Sequence, residues 1–246
     1  MALAWRQYRL ERRMFWRNPT AAFFSFVLPL IFLVLFGALL SGDRENLEII
    51  VPGIAGLSVM ATTFNALASQ MTFLRDQGVL KRMRGTPLPA NAYLAGIIGN
   101  AATNAFVQII IVVLAGRLAF DLGWPKDWLV LVVFTLLGVA CFASIGVAFS
   151  HVIPNFEASA AYTNIVFLPL IFISGVFYDV NDVPAFLHDI ANALPLVHVI
   201  DGLSAALVTG ADFGDLASDL GALAVWTAAG IFFAVRGFSW SGSREE

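Results

Sequence analysis

Charge is scarce in this 246-residue chain: 13% of its residues are Asp, Glu, Lys or Arg, against 59% hydrophobic. That balance leaves too little polar surface to cover a water-soluble globule. Cysteine is nearly absent, and the single Cys141, set in an apolar run, excludes an intrachain disulfide framework and a thiolate metal site. His151, His188 and His198 show no metal-ligand spacing, so no metal is expected. No G-x-x-x-x-G-K-[ST] phosphate loop occurs, and no Gly is followed by Lys, so the means to hydrolyse ATP are missing. An intramembrane serine protease would need a G-x-S-G nucleophile site. Ser174-Gly175 instead follows Phe172-Ile173, which counts against that chemistry. A net charge of −3 suggests no nucleic-acid partner.

Long apolar runs fill the space that charge leaves. They cover 21–40, 49–74, 91–118, 128–150, 158–178 and 215–236. About 20 residues of helix span a hydrocarbon core of about 30 Å. The runs are continuous rather than alternating, which favours helices over a barrel. The expectation is an all-α integral membrane protein with six transmembrane helices in one domain, 1–246. Pro29 and Pro169 are expected to kink the first and fifth. Segment 1–18 carries Arg6, Arg9, Arg12, Arg13 and Arg17 among Leu3, Trp5, Tyr8, Phe15 and Trp16, the pattern of an amphipathic interfacial helix. It lacks a small-residue cleavage pattern, so no cleaved signal peptide is expected. With six spans, only Arg44, Arg117 and Lys126 fall on the side opposite the remaining Lys and Arg. The positive-inside rule then puts both termini in the cytoplasm. Segment 180–208 has no Lys or Arg and is largely apolar. Pro184 suits a helix start, and Pro195 breaks the stretch beyond it. The expectation is an external helical hairpin joined near 194–198, either dipping into the outer leaflet or lying on the surface.

Two groups of residues carry the functional signal. The first is a basic island at 75–89, RDQGVLKRMRGTPLP, between two charge-free stretches. Arg75 and Asp76 sit at the end of the second span and could pair there. Gly78 permits a tight approach or a helix start, Leu80 and Met83 share an apolar side, and Lys81, Arg82 and Arg84 face headgroups or an acidic partner. Charge alone makes this a topological marker; its surface position also makes it a candidate docking element. The second group is a polar stripe at i, i+4, i+8 on the third span, Asn100, Asn104 and Gln108, with Gly96 one turn earlier. Amides in a membrane helix face protein or a cavity, either bonding neighbouring helices or lining a path. Asn65 and Gln70 on the second span, and Tyr162, Asn164 and Phe167 on the fifth, are similar candidates. Coupling to an ion gradient would need a buried ionisable group at mid-membrane. Asp201 is the best candidate, but it falls in the external segment.

The island and a second stretch together resemble the type-2 ATP-binding-cassette (ABC) exporter permeases. The island is similar to that family's loop between helices two and three, ending in Thr-Pro-Leu. The second stretch is Phe172-Ile-Ser-Gly-Val-Phe-Tyr, followed by Val183-Pro and Ala193-Leu-Pro-Leu-Val-His-Val-Ile-Asp-Gly-Leu. Leu194-Pro195 departs from the family's more frequent Asn-Pro. The resemblance implies a bacterial inner-membrane transport subunit in which two permease chains, identical or sister, give twelve helices. It implies two cytoplasmic ATPases that bind ATP and Mg, with no cofactor on this chain. The island becomes the coupling helix, with Arg75, Asp76, Gln77, Gly78, Leu80, Lys81, Arg82 and Arg84 at the ATPase. Export of a drug, antibiotic, lipid or glycolipid is the implied activity, multidrug resistance included. A polysaccharide or lipid-linked glycan permease and a non-ABC channel or membrane subunit are the alternatives.

Overall fold

The computed structural model describes residues 2–39, 44–84, 89–180, 183–210 and 212–237. The chain is all-α, and the described residues form eleven α-helices and two π-helical turns. These are α1 (Ala2–Arg17), α2 (Pro19–Leu39), α3 (Arg44–Met60), α4 (Ala66–Asp76), α5 (Val79–Arg84), α6 (Ala90–Phe120), α7 (Trp128–Phe149), α8 (Ser159–Ile173), α9 (Ala185–Ala193), α10 (Pro195–Ser204) and α11 (Ala217–Gly237). A π-helical turn, Ala61–Asn65, joins α3 to α4, and a second, Ala205–Thr209, extends α10.

Four helices among the described residues are long and apolar enough to cross a membrane: Asn46–Asp76, Ala92–Phe120, Trp128–Phe149 and Ala217–Arg236. The pair α9–α10, bent by 90°, would make a fifth if taken as one broken span. The first and fifth expected spans fall on shorter apolar helices, Ser25–Leu39 within α2 and Ser159–Ile173. At 15 residues α8 reaches only about 22 Å, short of the hydrocarbon thickness. It stops before the expected Tyr178 because Ser174-Gly175 turns the chain. Gly175 has φ +71°, and a Cβ there would lie 2.3 Å from Val180 Cγ2.

The α3–α4 span is the most enclosed, with 78% of its apolar window buried. It packs against α6, α7 and α10, around Ile54, Phe64, Phe134, Phe142, Leu196 and Leu203, all at most 1% exposed. Small residues set the spacing where backbones meet. A Cβ on Gly53 would sit 2.0 Å from the Val176 carbonyl oxygen, and one on Gly202 would sit 1.9 Å from the Phe134 ring. Asp127 starts α7 as an N-cap, accepting from the Leu129 and Val130 amides at 2.8 and 3.0 Å. Peripheral α11 lies along α7, with 11% of its apolar window buried.

In segment 183–208 Pro195 does not interrupt a helix. It opens α10 at N1, where its missing N–H has no intrahelical partner to lose. Pro184 stands just before α9 as its N-cap. The two helices meet at Leu194 and differ in environment. Phe186 and Ile190 of α9 are exposed, whereas α10 is buried from Pro195 to Ile200 against α3, α7 and α11. α10 is therefore a packed element of the bundle rather than a surface helix.

Candidate functional site

The polar stripe of α6 faces α1 and α2. Gly96 lets α1 lie close: a Cβ there would meet Gln7 Cγ at 2.6 Å. About two turns on, Tyr8 Oη and Thr103 Oγ1 are hydrogen-bonded at 3.2 Å, and Arg12 donates from Nη1 to Asn104 Oδ1. Gln108 donates from Nε2 to the Ser25 carbonyl of α2. Asn104 and Gln108 thus bond neighbouring helices, while Asn100 keeps a buried Oδ1 without a partner. Asn100 and Asn104 also line a cavity of about 320 Å³ between α1, α2, the α3–α4 span and α6. Its other polar walls include Glu11, Gln70, Thr62 and Ser25, and its apolar walls include Met14, Phe15, Leu28 and Ile97. Asn65 keeps a buried, unpartnered Oδ1 off this cavity, and Gln108 lies outside its lining. Tyr162, Asn164 and Phe167 of α8 do not line it either; Phe167 packs on the hydrophobic core.

Glu11 was not a candidate from sequence, yet it is the buried acid of this site, 5% exposed. Gln7 Nε2 donates to its Oε1 at 2.8 Å, and Gln70 Nε2 donates to its Oε2 at 3.0 Å. Burial pushes the carboxyl above its ordinary range, and the bonds from Gln70 and Gln7 offset part of that. The available signal was its place as the lone acid of an arginine-rich helix, four residues after Gln7.

The basic island breaks into a helix end, a turn and a short helix. α4 ends at Asp76, and Gln77-Gly78 turns the chain, with Gly78 at φ +64°. α5 then runs to Arg84, with Leu80 buried and Lys81 and Arg82 exposed. Arg82 donates to the Gln77 carbonyl at 3.2 Å. The Thr-Pro-Leu part, within 85–88, lies outside the described residues, as do the side chains of Met83 and Arg84. Besides its attraction to the adjacent Asp76 carboxylate, Arg75 is tied to α7. Arg75 donates to the Ser150 carbonyl at 2.8 Å and to the Ile153 carbonyl. Consecutive helix residues diverge, and the carbonyls beyond a helix C-terminus are orphan acceptors. Asp76 also accepts from the Phe156 amide at 3.5 Å.

At the hairpin His198 of α10 binds two other elements. Its Nδ1 donates to Asp219 Oδ1 of α11 at 2.6 Å, and its Nε2 donates to the Asn192 carbonyl of α9 at 3.0 Å. Both neighbours are acceptors, so the bond set is complete only when both ring nitrogens carry protons. Asp201 lies close enough that His198, Asp201 and Asp219 present ligand atoms within 4.8 Å of one another, which spacing along the chain does not reveal. With both imidazole nitrogens donating, this arrangement offers no ring lone pair to a cation.

The membrane helices, the basic turn-helix and the buried hairpin helix occur in a chain whose residues 1–208 match the family described as ABC-2 type transporter. The chain belongs to the ABC-2 type transporter family. It is similar to the inner membrane transport permease YadH of Escherichia coli K12, 24% identical over 179 residues, 70% of this chain and 69% of YadH. It is also similar to Nodulation protein J of Rhizobium leguminosarum bv. trifolii, 29% identical over 209 residues covering 80% and 78% of the two chains. Nodulation protein J of Rhizobium meliloti strain 1021 is 29% identical over 181 residues, 70% and 68% of the two. The family match spans α1 to α10 and so takes in the cavity, the island and most of the hairpin, leaving α11 outside.

Proposed function

We propose that this ABC-2 permease is the membrane subunit of an ATP-driven exporter that moves a hydrophobic or amphipathic substrate across a bacterial inner membrane. Two cytoplasmic ATPase subunits bind ATP and Mg beneath a pair of permease chains. α5 is the coupling helix, and Gln77, Gly78, Lys81, Arg82 and Arg84 lie at the ATPase contact.

One observation carries this reading. α5 presents exposed Lys81 and Arg82 on a short helix, while Arg75 fastens the adjoining end of α4 to the end of α7. A push on α5 therefore reaches two spans together. The cavity supports a substrate with a polar and an apolar part, because its walls divide in the same way. The test is co-purification with the candidate ATPase, followed by reconstitution and parallel assays of ATP turnover and transport. Arg82→Glu should weaken ATPase binding and separate turnover from transport. A chain that binds no ATPase and carries substrate without ATP is a channel or carrier, and the exporter reading fails.

A further inference from the structure

The cavity between α1, α2, the α3–α4 span and α6 has a chemical bias that deepens the transport reading and rests on it. Its wall carries a buried carboxylate, that of Glu11. Among the described residues no ion pair reaches Glu11; its two bonds come from the neutral amides of Gln7 and Gln70. Neutral donors offset only part of what a buried charge loses on leaving water. The neighbouring Arg12 turns to Asn104 and lies 5.8 and 5.7 Å from the centres of the Phe15 and Trp16 rings.

The remaining polar wall offers acceptors beside the amide donors of Asn100 and Asn104. Asn100 Oδ1 is buried with no donor. The Thr62 hydroxyl spends its proton on the Ser58 carbonyl at 2.7 Å, and the Gln70 amide spends one on Glu11. An anion entering here would meet the carboxylate, and an uncharged amphipath without donors would leave Glu11 and Asn100 as they are. A protonated amine would answer both. About 320 Å³ is at the lower end of the range for small-molecule sites, enough for a headgroup and the start of an apolar body against Phe15, Leu28 and Ile97.

We infer that this cavity binds a lipophilic amine, with the ammonium group held by the Glu11 carboxylate and the Asn100 carbonyl oxygen and the apolar body against α1, α2 and α6.

The test uses the full chain in zwitterionic lipid nanodiscs, with empty discs as the blank. The probes are a dansyl-tagged long-chain primary amine and the same molecule N-acetylated, which removes the charge and keeps the body. The amine should bind about tenfold more tightly than the amide, the scale of one charge-assisted contact. Glu11→Gln should bring the two probes within about twofold of each other, as expected once the ionic contact is gone, while leaving the acetylated probe unchanged. That unchanged binding also reports an intact cavity. Ala61→Trp, which fills the cavity from the π-helical turn without altering the carboxylate, should weaken both probes. Equal binding of the two probes to the native chain overturns the inference, as does a preference that survives Glu11→Gln or amine binding that survives Ala61→Trp. No readout here uses an ATPase. Amine selectivity in a chain that couples to no ATPase would uphold the site and sink the exporter reading. A coupled exporter that binds both probes equally would do the reverse.

Discussion

Arg75 is the most direct test of how force would pass from the basic turn-helix into the bundle. Its guanidinium donates to the carbonyls of Ser150 and Ile153, at the point where α7 ends and the chain turns toward α8. Hydrogen bonds made by a charged donor contribute roughly 1.5–3 kcal/mol each, and this site is only part-buried, so the pair is worth roughly 2–4 kcal/mol. Arg75→Met keeps most of the aliphatic stem and deletes both bonds. A loss of about 2 kcal/mol lowers the melting temperature of a chain this size by roughly 4–8 °C. Arg75→Lys should recover part of the loss, because an ammonium can reach one carbonyl but lacks the planar fork that serves two. The assay is thermal unfolding of the purified chain in a fixed detergent, paired with ATP-driven transport in vesicles. Arg75→Met should depress transport more than ATP turnover, since α5 then moves without carrying α7. A melting temperature within about 1 °C of the native value, or an equal fall in both rates, would refute the proposed tie.

Gly78→Ala should destabilise the α4–α5 turn by about 1 kcal/mol, because φ +64° is left-handed and a Cβ there meets nothing within 4 Å, so the cost is conformational alone. Gly78→Asn, which tolerates that region better, should recover much of it in the same melting experiment. His198→Phe should cost about 2 kcal/mol or more, since it leaves the largely buried Asp219 carboxylate unpaired. Adding Asp219→Asn should restore part of the stability, and a double variant no more stable than the single one would show that the pair does not bind α10 to α11. Glu11 sets a pH dependence: its carboxyl is raised in the folded chain, so the native state binds the proton more tightly than the unfolded one. Its contribution to stability therefore falls as pH climbs from the ordinary carboxylate range through the raised value. Glu11→Gln should flatten that part of a melting-temperature profile, and an unaltered slope would assign it to another group.

What the sequence discloses here is what a single helix can encode. Run length and the lack of charge indicated the helical class, because apolar surroundings oblige each segment to satisfy its own backbone. The four-residue spacing of Asn100, Asn104 and Gln108 disclosed a polar face. It could not disclose what meets that face, since Arg12 and Glu11 arrive from α1, about ninety residues earlier in the chain. His198 and Asp201, three apart, share a face of α10, but Asp219 comes from α11 and turns two side chains into a three-element junction. Arg75 shows the limit of adjacency: the neighbouring Asp76 was readable from the chain, but the carbonyls of a different helix end that Arg75 also reaches were not. α8 fell short of its apolar run because a glycine turn overrode hydrophobicity. Apart from α8, whose glycine turn is local, the missing information was long-range, and there it joins elements that a transport cycle would have to move against one another. α1 is bonded to α6 and to Gln70 of α4, α4 to the end of α7, and α10 to α9 and α11. Polar bonds at these joints can exchange partners at modest cost, whereas the apolar contacts of α3 with α7 and α10 cannot slide without opening voids. Motion should therefore concentrate at the joints and leave the α3, α7 and α10 core as the fixed frame.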